Sequence, residues 1–529
     1  MSFILKDSFH HSVAETFYND ILSRRGSYYY FIGRPIAWGN EGSPDTPTAT
    51  REYEYNTRND VIGLKRISAS DVALVARRID WVDGTVYDQF DGDYNTAFPS
   101  DTGATDIKDA DFYVLTSSFN VYKCIFNNNG GASSVQPSGT DIVPVTYGDG
   151  YVWKYLYSIP LALRNRFLTS NHMPVVRAIT NEFYSNGSIS SIVIDSGGSN
   201  YTNANTRITV TGDGVSANLS PFVNGAGQLQ DIIILNAGSG YTYADIAITT
   251  IAGSGAGANA YANFSTGDVN TQQAFVELSA IDGALYGFRV NNAGNNYTTA
   301  SITVEGDGSN FIGNVSLNAN TNTISKVTVT NPGSGYTFAN VAISGNGSNA
   351  NLTAIISPPG GHGFNPIREL NADTIMLYST INNERNQGVT INNDFRQTGI
   401  LKDITNYSND LKYANTQGSA CFLVTVGSVG SLARDGVLSL QTGNIYRNFE
   451  IVEVVSSTNQ LLLANKHNYT LAADITLTDR LTNITYTIVS IDKTPTINKF
   501  SGELLFIDNR ASVSYSDQQL VTLRTIIKL

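Results

Sequence analysis

Asp88, Asp91, Asp93 and Asn95 crowd around Gly92, and closely spaced carboxylates are what a hard cation such as calcium takes. The order Asp91-Gly92-Asp93-Tyr94-Asn95 lacks the regular spacing and closing Glu of an EF-hand, so a solvated loop is expected. His10 and His11 are adjacent on a helical pattern, where neighbours point apart; they read as exposed histidines and not as paired ligands. His362 stands in Pro358-Pro359-Gly360-Gly361-His362-Gly363-Phe364 without a carboxylate or nucleophile at diagnostic spacing, which makes it a turn histidine. The glycines of 253–258 loosely resemble a nucleotide fingerprint, but short strands flank them and no helix follows to hold a phosphate. Arg77-Arg78 is the one early basic pair and reads as a salt-bridged face. No His-Glu-x-x-His, Gly-x-Ser-x-Gly, Cys-x-x-Cys or phosphate loop occurs. A glycan hydrolase would need two carboxylates facing across a groove, and the acidic residues are scattered in sequence. The residues thus point to no catalytic residue, no cofactor-binding residue and no metal ligand, and the chain is expected not to be an enzyme.

One residue type does recur with regular spacing. Tyr201, Tyr241, Tyr297 and Tyr336 lie 40, 56 and 39 residues apart, each just after a Gly-rich turn. Each belongs to a unit of one plan: an apolar strand, the Gly-rich turn ending in Tyr-Thr, a second short strand, another Gly-rich turn and a third strand. The first strands centre on Ile192-Val193-Ile194, Ile232-Ile233-Ile234, Phe288-Arg289-Val290 and Val327-Thr328-Val329. The second strands centre on Ile208-Thr209-Val210, Ile246-Ala247-Ile248, Ile302-Thr303-Val304 and Val341-Ala342-Ile343. An insert near 266–280 accounts for the long gap. Such a unit is too small to stand alone, so it must stack on neighbours or on the rest of the chain. Units in the middle, carrying Tyr241 and Tyr297, are then expected to be the most strongly coupled. The Tyr rings can staple the strand pairs, or they can stack on sugar rings as in repeat lectins; the staple is the reading preferred here.

The elements around these residues are mostly strands. Phe9, Val13, Phe17, Ile21 and Leu22 form one stripe of a helix from about Ser8 to Arg25, with Ser8 as its cap. Tyr28 to Gly33 is a buried strand, Arg34 to Trp38 an extended segment, and 39–50 a loop. Asp111 to Leu115 and Val121 to Cys124 read as two strands of a meander. Gly148-Asp149-Gly150 is a turn into the strand Tyr151-Val152-Trp153-Lys154-Tyr155-Leu156-Tyr157, whose only ionisable group besides its phenols is Lys154. Strands at 421–426, 449–454 and 485–489 suggest a barrel- or sandwich-like unit, and 520–527 a last strand.

With 529 residues the chain has room for several cores. A net charge of −12 with 15% charged residues argues against a nucleic-acid surface. Two cysteines, Cys124 and Cys421, are too few and too far apart for a disulfide framework, so both are expected as buried thiols. No signal peptide and no membrane-spanning run is read from the sequence, and synthesis in a host cytoplasm without membrane insertion is expected.

Taken in order, several segments carry a family likeness. They are Tyr28 to Gly33 with Arg34 and Trp38; Arg77-Arg78-Ile79-Asp80-Trp81 with Gly84-Thr85-Val86-Tyr87; the two strands at 111–124; Gly148-Asp149-Gly150-Tyr151-Val152-Trp153; Asp394-Phe395-Arg396-Gln397-Thr398-Gly399-Ile400; and 501–510. With these the chain resembles the baseplate wedge subunit of T-even-like contractile-tailed bacteriophages, the gene product eight family. The likeness covers 15–160, 394–404 and 501–529, and does not extend to the repeats or to 413–494.

The resemblance implies a structural, non-enzymatic virion protein of the tail baseplate, a homodimer that joins neighbouring wedge proteins and helps hold the baseplate before sheath contraction. It implies no cofactor. The alternative is a glycan-binding adhesin or tail-spike-like protein that uses the repeated Tyr turns on a host surface glycan. The fold expected is mainly β with a short N-terminal helix: a discontinuous β-sandwich-like body carrying two insertions. The body is read at 1–180, 358–411 and 496–529, a four-unit Gly-rich β-repeat at 181–357, and a small β-barrel or sandwich at 412–495.

Overall fold

Tyr28–Gly33 is buried along its whole length and forms the middle strand of a five-stranded sheet. Val61–Arg66 pairs on one side of it and Gln397–Lys402 on the other, both antiparallel. Glu503–Asn509 then pairs with Gln397–Lys402, and Gln417–Ser419 with Val61–Arg66. One sheet therefore joins residues more than 470 positions apart in the chain. Apolar and aromatic side chains on both faces explain why the strand is central: Tyr29 and Phe31 enter one core, Tyr30 and Ile32 another. The computed structural model describes residues 7–22, 27–178, 188–241, 244–264, 271–381, 395–466, 469–512 and 521–528.

A second body sheet has four strands in the order Val521–Lys528, Thr374–Ile381, Val72–Arg77, His172–Val175. A third holds Tyr113–Leu115, Asn120–Phe126, Val152–Ser158 and Val145–Thr146 in that order. The largest core lies among these sheets and includes Tyr30, Leu74, Phe112, Leu156, Met173 and Ile375. The helix Asp7–Leu22 packs on it through Ala14, Ile21 and Leu22. The architecture is mainly β and multidomain, with a small closed barrel.

That barrel takes six strands, Cys421–Val426, Gln460–Asn465, Ile445–Val455, Val437–Thr442, Thr476–Asp479 and Thr485–Lys493, in this order around the ring. Phe422, Phe449, Leu461 and Leu463 fill it. Closure removes exposed sheet edges.

The repeat units do not form a continuous stack. The first two make one module. Ile189–Ser199 pairs with Ala256–Phe264, Thr206–Gly212 with Ala244–Thr250, and Val215–Val223 with Leu229–Ser239. The last two make another, pairing Leu285–Asn295 with Ser348–Ile356, Ala300–Gly306 with Ala339–Gly345, and Ser309–Asn318 with Thr323–Ser334. In each module the first strand of one unit pairs with the third of its mate, and middle strand pairs with middle strand. Two units exchange strands about a pseudo-two-fold axis. Coupling therefore runs within pairs, which replaces the expectation that inner units are coupled most. A further correction concerns the glycine three residues before each Tyr: Gly198, Gly238, Gly294 and Gly333 continue the long first strand, while Gly240 and Gly335 lie just past its end.

Four α-helices among the described residues were not foreseen, one of them the short Pro366–Glu369. Arg51–Asp60 starts at Thr50, whose hydroxyl accepts from Tyr53 N at 3.2 Å, and carries Glu54 one turn before Arg58. Leu161–Phe167 follows Pro160, and Thr271–Leu278 occupies the insert between the modules.

Candidate functional site

Two of the carboxylates around Gly92, Asp88 and Asp91, are taken up by the protein's own donors. Asp88 is buried and accepts from Thr102 N at 2.9 Å, Thr102 Oγ1 at 2.6 Å and Asp111 N at 2.9 Å. Asp91 accepts from Asp93 N and pairs with Arg289 at 2.6 Å. Among the described residues no group of three or more His, Cys, Asp or Glu is placed to hold a metal. The loop is solvated only in part: Asp93 and Asn95 are exposed as expected, but Asp88 and Asp91 are buried. Arg289 belongs to the second repeat module, so the Asp91 pair fastens that module to the body. Arg66 and Asp231, at 3.0 Å, do the same for the first.

Arg77 pairs with Asp111 at 2.7 Å, and Arg78 pairs with Asp80 and donates to Thr169 O, both at 2.8 Å. His11 departs from its expected exposure: it is buried. The helix turns the face carrying His11 and Ala14 inward, about one residue away from the stripe expected from Val13 and Phe17. Both cysteines are buried free thiols, and burial pushes Cys421 up to about 12. No helix among the described residues is long and apolar enough to cross a membrane.

His362 sits in a polar part of the interior. Its ring meets Phe90 edge-on, with centroids 5.2 Å apart, and Tyr286 at 6.0 Å. Burial, with Lys123 and then Lys154 nearby, holds its imidazole neutral, well below the usual histidine range. Lys123 is fully buried and ion-paired to Glu369, which also accepts from Gly363 N at 2.8 Å and Asn365 N at 3.2 Å. Lys154 donates to Ile142 O and is pushed down to about 8 by burial. These four side chains are buried. They tie the sheet containing Asn120–Phe126 and Val152–Ser158 to the returning helix Pro366–Glu369. Lys123 and Lys154 in otherwise apolar strands were the sequence signal for this network; Glu369, 246 residues from Lys123, gave none.

Tyr201, Tyr241, Tyr297 and Tyr336 are 3%, 5%, 4% and 5% exposed, so no ring offers a face to a sugar. Each ring lies between two glycines. One is three residues earlier: Gly198, Gly238, Gly294 or Gly333. The other comes from the mate unit, and the exchange is reciprocal: Gly214 under Tyr241, Gly255 under Tyr201, Gly308 under Tyr336, Gly347 under Tyr297. A Cβ on any of the four mate glycines would lie 2.3 to 2.6 Å from a ring carbon. Gly255 is thus occupied with Tyr201, which gives this one glycine of 253–258 a packing role.

Set against known proteins, the chain matches no family model and no curated protein.

Three segments far apart in the sequence, around Phe31, Gly399 and Phe506, meet in space. Gly399 is the point of closest approach. A Cβ there would stand 2.1 Å from Phe506 O and 2.5 Å from the ring of Phe31. Beside it, Arg396 donates to Pro35 O at 2.5 Å and pairs with Glu41 at 2.7 Å. Trp38 Nε1 donates to Arg510 O at 2.8 Å, and the Arg34 guanidinium lies 3.7 Å from the centre of the Trp38 ring. At the Gly148-Asp149-Gly150 turn, Asp149 accepts from Ser133 Oγ, Ser134 N and Val135 N at 2.9 to 3.1 Å. Tyr151 stacks on Trp153 beyond it, centroids 5.5 Å apart. These arrangements hold distant segments of the chain together.

Proposed function

We propose that this chain is a structural subunit of a contractile phage tail baseplate, joining neighbouring wedge proteins and performing no catalysis. The observation that carries the reading is the junction at Gly399. Three segments that resemble the wedge family, around Phe31, Gly399 and Phe506, are far apart in sequence and lie on adjacent strands without room for a methyl group. The repeat modules and the barrel are carried on this body. The partners proposed are other wedge proteins and a second copy of the chain. The protein is made in the host cytoplasm and ends in the virion.

The buried histidine and lysines fit a load-carrying scaffold, since each serves a contact between distant segments. The four repeated tyrosines are used within the modules, so an adhesin role would need another surface. The experiment is fractionation of particles from the phage that encodes the chain, with mass spectrometry of purified tails. Recovery in fixed ratio with sheath and tube proteins supports the reading. Absence from tails, with recovery on host envelope polysaccharide, overturns it.

A further inference from the structure

A cleft of about 460 Å³ opens between the first repeat module and the body segment around 406–412, within the size range of small-ligand sites. One wall is the hairpin of Val215–Val223 and Leu229–Ser239, with its turn at Asn224-Gly225-Ala226. The other wall is Asn406, Asn409, Leu411 and Lys412. The two walls are fixed to each other. Gln230 Nε2 donates to Asn415 Oδ1 at 2.5 Å, and the Arg66–Asp231 pair fastens the same hairpin to the body.

The lining is neutral. Among the described residues no carboxylate lines the cleft, and its one cation, Lys412, is paired with Asp403 at 2.7 Å. Three side-chain amides are instead each tied at one end and open at the other. Asn409 Oδ1 accepts from Leu411 N at 3.1 Å, while its Nδ2 meets no acceptor among the described residues. Asn406 donates through Nδ2 to Leu411 O at 2.9 Å, and Gln230 through Nε2 to Asn415. The Oδ1 of Asn406 and the Oε1 of Gln230 meet no donor among the described residues. Half-buried Phe222 and half-exposed Leu411 supply the apolar part. Amides held at one end lose little freedom when the other end is engaged, so the cleft is organised before any ligand arrives.

An open donor, two open acceptors and an aromatic ring, with no unpaired charge, match a polyhydroxylated ligand. Hydroxyls both donate and accept, and the C–H face of a sugar ring packs on an aromatic face. We propose that this cleft binds a neutral saccharide, with the amides of Gln230, Asn406 and Asn409 on its hydroxyls and Phe222 against a ring face. The site is distinct from the four repeated tyrosines, whose rings are buried within the modules.

The test is calorimetric titration of the full chain with maltotriose, mannotriose and N-acetylchitotriose, at low and high salt. Saturable binding of at least one of them is expected, with an affinity that salt does not change, since no charge is paired on binding. Asn409→Asp keeps the acceptor for Leu411 N and removes the open donor; Phe222→Leu keeps apolar bulk and removes the ring. Each should weaken binding about tenfold or more. At Gly225 a Cβ would meet only Asn409 Nδ2, at 3.7 Å, so Gly225→Phe has room to fill the cleft and should abolish binding without lowering the melting temperature. No binding of any of the three sugars would overturn the proposal. So would binding that falls with salt, binding unchanged in a folded Gly225→Phe variant, or tighter binding of a neutral Ser-Asn-Thr-Gly-Ser peptide than of any sugar. None of these outcomes bears on whether the chain resides in tails.

Discussion

Gly214 lies under the ring of Tyr241, from the neighbouring repeat unit, so closely that a Cβ on it would stand 2.3 Å from the ring's Cγ. The reciprocal contact joins Gly255 to Tyr201, and the second module repeats both. Each module is therefore two units locked by a mutual ring-on-glycine exchange. Gly214→Ala should destabilise its module by about 1–3 kcal/mol through overpacking. Tyr241→Ala should cost about 3–5 kcal/mol through lost burial and a cavity. Double-mutant cycles by thermal or urea unfolding should show Gly214 coupled to Tyr241, and Tyr241 additive with Tyr297 of the other module. Strong coupling between Tyr241 and Tyr297 would restore the continuous stack.

Gly399→Ala tests the body junction. Its Cβ would meet Phe506 O at 2.1 Å, and a carbonyl on a paired strand cannot step aside as a flexible side chain can. The substitution should cost about 3 kcal/mol or more, or prevent soluble expression. Gly39→Ala, where a Cβ meets nothing within 4 Å, is the control and should change melting little. Similar melting of the two variants would contradict the close junction.

Asp307 accepts from Thr337 N at 2.9 Å, Thr337 Oγ1 and Phe338 N, and these bonds lower its carboxyl from 3.8 to about 2. In the mate unit the amide of Asn346 accepts from Thr298 N and Thr299 N, at 2.9 and 3.1 Å, with no charge. A folded value below the unfolded one gives stability that is present above 3.8 and lost as pH falls through about 2. Asp307→Asn should keep the backbone bonds and flatten that loss. Melting of both proteins between these two pH values checks it. Parallel curves would show that Asp307 contributes nothing to acid sensitivity.

The buried pair Lys123–Glu369 predicts an asymmetry between single and double replacement. Lys123→Met leaves Glu369 buried with two backbone donors and without its ion-pair partner, and should cost about 3–5 kcal/mol. Adding Glu369→Gln, which keeps an acceptor for Gly363 N, should recover much of that loss. Urea unfolding of the wild type, both single variants and the double variant measures the coupling. Equal losses for single and double replacement would mean that the ion pair is not what ties Pro366–Glu369 to the sheet.

Local pattern was the legible part of this fold. Tyr28–Gly33, the middle strands of the repeats and the barrel strands were readable because alternation and β-favouring residues act over a few positions. Exchange of strands between units was not, because Gly214 and Gly255 look like ordinary turn glycines until their partner rings are placed. Arg51–Asp60 was hidden by its polar sequence, and only Thr50 with the Glu54–Arg58 spacing marked it. The polar interior around His362 was half visible in Lys123 and Lys154, while its acid, Glu369, comes from a segment whose position only the tertiary fold decides.

The most direct test of the tail assignment is an electron-microscopy map of intact tails from the phage that encodes the chain. The baseplate account predicts density for the body, with its five-stranded sheet and closed barrel, in paired copies between wedge proteins at the end of the tube. A map in which every baseplate protein is traced and this chain is absent, or lies only on fibres away from the wedges, would contradict it.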